Sequence, residues 1–254
     1  MKEERKENRR KKLAEVLVYE RFEIIALLCI AGGFMDAYTY LVRDKVFANA
    51  QTGNIILLVF GLCEGRFFDA LRYLVPIALF AAGVVVSEFI ISRERKNGAK
   101  LANYVALLVI EAVVLAGAAF IPVNEEWNLF ANALVSFVAS VQYAAFRKIE
   151  NIPAATSFCT GNLRSATQYL YRGVAAKDKA AAFTSLKFWA MIAFFALGVA
   201  AGYFAALSLG ALSLLCCSLY LVLLGGLLAA LKAFKMKKLG EFSAEEEKNG
   251  QNPS

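Results

Sequence analysis

Two copies of one polar tripeptide, Thr52-Gly53-Asn54 and Thr160-Gly161-Asn162, sit in an otherwise greasy chain. Thr and Asn side-chain oxygens accept from the free N–H groups of a helix's first turn. Asn offers donors as well, and Gly admits a turn or a close backbone approach. The residues after each tripeptide, 55–62 and 163–171, can continue as a short helix. Each segment therefore reads as a loop followed by a half-helix, whose N-terminus carries about half a positive charge and suits an anion or a carbonyl oxygen. A cap plus a packing glycine would account for one copy; two matched copies point to a shared site. Asp36, in "GGFMDAYTYL", stands away from any basic flank. An acid at that depth in an apolar run binds a proton or a cation, or pairs with a cation such as Arg72 or Arg164. Gln142 in "SVQYAAF", Glu111 in "LLVIEAVVL" and Lys187 complete the polar groups within or beside apolar runs.

The elements that must position these groups are membrane spans. The 254-residue chain is 59% hydrophobic and 19% charged, against about 45–50% and about 25% for a soluble domain. Six runs approach the roughly 20 apolar residues that a bilayer core requires: 22–42, 73–92, 101–121, 128–146, 186–207 and 211–231. The second tripeptide segment, 154–172, includes Arg164, which at a helix centre costs about 2.5–3.5 kcal/mol on insertion scales, so it is not expected to cross. Charge between the runs agrees. Residues 1–21 carry eight Lys or Arg, 93–100 four, 147–187 seven against two acids, and 232–238 four, whereas 122–127 carries only Glu125 and Glu126. With six spans every basic segment falls on the cytoplasmic side, as the positive-inside rule asks, and so do both termini.

Aligning the tripeptides sets an offset of 108, and a block that aligns at an offset seven residues larger points to a duplication. "LRYLVPIALFAAGVVVSEFIIS" (71–92) matches "LKFWAMIAFFALGVAAGYFAAL" (186–207) at eight positions, Gly83 with Gly198 among them, and sets Arg72 against Lys187. At the tripeptide offset Asp36 falls opposite Ala144. Three spans per half is odd, so the halves are upside down relative to each other, a plan that places substrate at the midplane between repeats. The expected fold is an all-α polytopic membrane protein of six transmembrane helices in two inverted three-span repeats, each with a re-entrant half-helix starting at Thr-Gly-Asn. Residues 1–21 form a basic cytoplasmic tail, 22–121 and 122–231 the repeats, and 232–254 a disordered cytoplasmic tail. The layout shares its outline with aquaporin-like channels by architecture alone.

Histidine is absent and the five cysteines show no CxxC spacing, which removes imidazole chemistry and the common zinc sites. No phosphate-binding glycine loop or nucleophile elbow is present. No catalytic residue, metal or cofactor is therefore expected. The net charge of +7 is explained by orientation in a bilayer rather than by nucleic acid. The function expected is a small-solute or ion transporter or channel of the bacterial plasma membrane. Its path is lined by Asp36, Thr52, Gly53, Asn54, Gln142, Thr160, Gly161 and Asn162, with Arg72, Arg164, Lys187 and Glu111 as charge partners. The alternative is a non-transporting scaffold or sensor that holds a partner on its basic segment 147–187. Oligomeric state stays open, since Gly83 and Gly198 suit packing within or between chains.

The pattern "GGFMDAYTYL…FANAQTGNIILL" resembles the YoaK-like family of bacterial membrane proteins, domain of unknown function 1275. Gly33, Asp36, Phe47 and Thr52-Gly53-Asn54 match its first-half motif, and Gln142 with Thr160-Gly161 match the second half. The chain departs from the family's Gly-x-Gln-Asn by having Ser140-Val141-Gln142-Tyr143. The resemblance covers 22–231 and implies a six-span integral membrane protein; it implies no activity.

Overall fold

The computed structural model describes residues 18–97, 101–150, 152–156 and 159–250, and of 93–97, 101–102 and 238–250 the backbone alone. The fold is almost wholly helical. The elements are α1 (Phe22–Val42), α2 (Gln51–Cys63), α3 (Phe67–Asn97), α4 (Leu101–Ala119), α5 (Glu125–Ala145), β1 (Lys148–Ile149), β2 (Ile152–Pro153), α6 (Cys159–Ala175), α7 (Lys179–Leu209) and α8 (Leu214–Gly250), with a 3-10 turn at Gly210–Ser213 before α8. Helices occupy all six apolar runs, and α2 and α6 are the two short helices at the tripeptides. Three stretches are long and apolar enough to cross a bilayer: Phe22–Val42, Phe67–Ser92, and Lys179–Lys237, which is two helices in series. Helix α5 is less apolar because its buried residues include Asn128, Asn132, Ser136, Ser140 and Gln142. The apolar part of α4, Asn103–Ala119, is shorter.

Sequence explains where the helices stop. After α1 the chain turns sharply at Asp44 and Lys45, both with positive φ. Helix α5 begins at Asn124, whose side chain accepts from Trp127 N, a standard N-cap. Asp178 does the same for α7 through Ala180 N and Ala181 N. The stretch 232–250, expected to be unstructured, is a helical continuation of α8; Ala, Glu, Lys, Leu and Met are all good helix formers. Residues 251–254, and 1–17 of the expected basic tail, lie outside the described residues.

Contacts fix the direction of each helix. Glycines bring α1 and α7 together in parallel: Gly198 lies on Ile30, Gly202 on Phe34 and Ala37, and Gly33 on Phe195. Helices α3 and α5 pair in the same parallel sense, with Gly83 on Phe137 and Ser140 and Glu88 ion-paired to Arg147. Helices α4 and α8 are antiparallel, since Ser218 donates to Ala112 O while Gly225 faces Leu108. Helix α5 runs against α1: Asn132 Nδ2 donates to Arg43 O, and Gln142 Nε2 to Leu28 O. Helix α2 packs on α3, and α6 on α7. Packing matches Gly83 on Phe137 to Gly198 on Ile30, an offset of 107 between α1 and α5. At that offset Asp36 would correspond to Tyr143 rather than Ala144.

Candidate functional site

The chain after α1 folds back on itself. Asn49 N donates to Asp36 Oδ1 at 2.7 Å, and Asn49 Nδ2 donates to Gly32 O at 3.1 Å. These bonds hold the loop beside the middle of α1, although the chain left α1 at its end only a few residues earlier. Helix α2 starts there and runs back until Gly61 rests on Ala70, near the start of α3. Helix α6 behaves likewise: it ends with Gly173 on Ala182, near the start of α7, and Ser185 donates to Ala166 O along the way.

A cavity of about 400 Å³ lies where the two short helices begin. Asp36 and Tyr40 of α1, Phe47 of the loop, Thr52 of α2, Thr160 of α6 and Tyr203 of α7 line it. Asp36 is the one carboxylate in the lining, which is otherwise largely apolar and aromatic. Tyr40 and Phe47 stack with centroids 5.0 Å apart.

The tripeptides are placed differently from expectation. Each lies inside the first turn of its helix, since α2 begins at Gln51 and α6 at Cys159. Asn54 does not cap; it clasps the loop. Its Nδ2 donates to Phe47 O at 2.7 Å and its Oδ1 accepts from Phe47 N at 2.9 Å. Asn162 repeats this on Ala155, at 2.7 Å and 3.3 Å. Both asparagines are buried, whereas Thr52 and Thr160 are exposed toward the cavity. Gly53 is required because a Cβ there would come within 2.9 Å of the Phe47 ring; at Gly161 the space is open. The asparagines therefore shape the site and the threonines line it.

The remaining expected residues stand apart from the cavity. Gln142 is fully buried between α5 and α1. Arg72 pairs with Asp69 at 2.8 Å and Lys187 with Glu150 at 2.6 Å, both local ties rather than partners for Asp36. Arg164 is exposed on α6. Glu111 is buried in α4, and among the described residues neither of its carboxylate oxygens has a hydrogen-bond partner.

Arg43 was not anticipated. It is fully buried, with Nε donating to Tyr38 Oη, and its two terminal nitrogens to Asn128 Oδ1 and to the carbonyls of Ala118, Ile121 and Pro122, at 2.7–3.3 Å. The carbonyls at the C-terminal end of α4 carry the negative pole of that helix, so a cation is held there without a carboxylate. The sequence signal was an arginine directly after a span whose opposing connection, 122–127, is acidic.

Comparison with known proteins places this geometry in a family. A family model described as "Protein of unknown function (DUF1275)" matches residues 24–227. The UPF0700 transmembrane protein YoaK of Bacillus subtilis (strain 168) is 27% identical over 156 residues, which is 57% of this chain and 65% of that relative. The aligned region thus spans a little under two thirds of the relative's length. No solved structure matches. With its long apolar helices and a family match over most of its length, the chain is a membrane protein that belongs to the DUF1275 family, the YoaK-like proteins.

Proposed function

We propose that this protein is a small-solute transporter or channel of the bacterial plasma membrane, and that the cavity at the starts of α2 and α6 is its solute site. Helices α1, α3, α4, α5, α7 and α8 cross the bilayer as two inverted three-span halves, with both termini cytoplasmic. Helices α2 and α6 are re-entrant and enter from opposite sides. The packing supports this. Exchanging α1–α4 with α5–α8 carries each helix pair onto another: α1 with α7 onto α5 with α3, α2 with α3 onto α6 with α7, and α4 with α5 onto α8 with α1. The pairs α4 with α8 and α1 with α5 map onto themselves. Since α5 runs against α1, the exchange inverts direction. The repeated asparagine clasp obeys the same relation.

The observation that carries the functional reading is the cavity, where Asp36, Thr52 and Thr160 converge from three elements, beside the C-terminal halves of α1 and α7. Irregular backbone at membrane depth survives only when buried in protein or lining a wet cavity, and the Asn49 loop borders such a space. In this reading the asparagines hold the loops, the threonines and Asp36 meet the solute, and Arg43 locks α1 to the α4–α5 connection.

The test is reconstitution into liposomes, with swelling followed by light scattering under inward gradients of glycerol, alanine and tetramethylammonium chloride. Protein-dependent swelling with at least one solute is expected. Replacing Thr52 and Thr160 together by Phe fills the cavity and should abolish it. If the folded wild-type protein moves none of the three faster than empty liposomes, the reading fails and a scaffold or sensor takes its place.

A further inference from the structure

The walls of the cavity indicate what chemistry it accepts, and the inference rests on its being a solute site. Asp36 is 6% exposed, and no Lys or Arg among the described residues is within ion-pair distance of it. Its nearest cation in sequence, Arg43, spends its donors on Tyr38, Asn128 and three carbonyls. A carboxylate set in an apolar surround without a counter-charge is costly. The other lining residues include four aromatics, Tyr40 and Phe47 stacked together and Phe195 and Tyr203 of α7, alongside Thr52, Cys159, Thr160 and small or aliphatic side chains. Aromatic rings attract cations through their negative faces, and quaternary ammonium groups in particular.

The helix starts pull the other way, since each carries about half a positive charge. At α2 that pull is largely spent. Asn49 N is already on Asp36, Gln51 N on Asn49 O, and Gly53 and Asn54 N on Ala50 O. Asp36, the one acidic group among the described lining residues, and the four aromatic residues around it favour a cation over an anion.

We infer that the cavity binds an organic cation, an amine or quaternary ammonium with apolar substituents, its charge met by Asp36 and its hydrocarbon part held by Tyr40, Phe47, Phe195 and Tyr203. A volume of about 400 Å³ lies within the range of small-molecule sites, roughly 300–1,000 Å³.

The experiment uses the full chain in lipid nanodiscs, checked as a single folded species by size exclusion, with calorimetric titration of three probes of similar size. Benzyltrimethylammonium should bind saturably, about tenfold or more tighter than phenylmethanesulfonate or benzyl alcohol. Asp36→Asn, which keeps an acceptor for Asn49 N, should weaken the cation about tenfold and leave the alcohol unchanged. Tyr203→Leu should weaken the cation several-fold. If Asp36→Asn does not fold, the wild-type series and Tyr203→Leu decide the matter. Sulfonate or alcohol binding as tightly as the cation overturns the cation assignment while leaving a solute site in place. A folded wild-type protein that binds none of the three overturns both.

Discussion

Asn54 holds both backbone groups of Phe47, donating to its carbonyl at 2.7 Å and accepting from its N–H at 2.9 Å. One side chain thereby serves a residue seven positions earlier, and fixes the loop that delivers Phe47 and Ala50 to the cavity. Asn54→Ala leaves two part-buried backbone groups unpaired. It should cost about 1–3 kcal/mol, read as a lower unfolding temperature in detergent. Asn162→Ala should behave alike, and the double variant should lose solute flux while still eluting as folded protein. Unaltered flux in the double variant removes the clasp from the mechanism.

Arg43 is the second test of stability. Lys in its place cannot reach carbonyls on the α4–α5 connection, Asn128 and Tyr38 together, and Met would strip them all of a donor. Arg43→Met should destabilise by about 1–3 kcal/mol for each buried acceptor it leaves unpaired, with Arg43→Lys between it and wild type. Equal thermal stability of all three proteins would show that the network contributes nothing.

Two glycines predict opposite outcomes. A Cβ at Gly198 would overlap Ile30 O on the facing helix, so Gly198→Ala should force α1 and α7 apart and cost about 1–3 kcal/mol. At Gly161, which also lies in a helix, an added Cβ would meet nothing within 4 Å among the described residues. Gly161→Ala should be neutral, or stabilise by about 0.5–1 kcal/mol. Thermal unfolding of the two variants side by side checks the pair.

Orientation can be read from single cysteines at positions 97, 125 and 176, each in a cysteine-free background, probed in intact cells with a membrane-impermeant thiol reagent. Asn97→Cys and Ala176→Cys should be protected and Glu125→Cys labelled. Labelling at 97 with protection at 125 and 176 would mean eight crossings and halves with the same orientation.

The helices were legible because their runs are long and uniformly apolar, and the charged connections between them mark where each ends. The duplication we propose rests on a polar tripeptide that stands out against a greasy background. What that background hid was the job of each polar residue. Asn54 and Asn162 look like ligands by residue type alone, and nothing local says that their amides turn back onto Phe47 and Ala155. The N-cap reading of Thr52 and Thr160 failed by two positions, since α2 begins at Gln51 with Ala50 as its N-cap and α6 begins at Cys159, each ahead of its tripeptide. Arg43 was hidden for a different reason: three of its five acceptors are carbonyls of residues 118–122, which no side-chain pattern reveals. Tyr40 and Tyr203 lie in separate helices, and only the parallel packing of α1 and α7 brings them to one cavity.

That pairing has a consequence for synthesis. Helix α1 finds its closest neighbour, α7, only after the ribosome has added more than a hundred further residues, and α5 has its own neighbour, α3, already waiting. The nascent chain must therefore store its first helix, glycine face uncovered, until the last third emerges. A gene cut between α4 and α5 should give two fragments that are each degraded when made alone and rescue each other when made together.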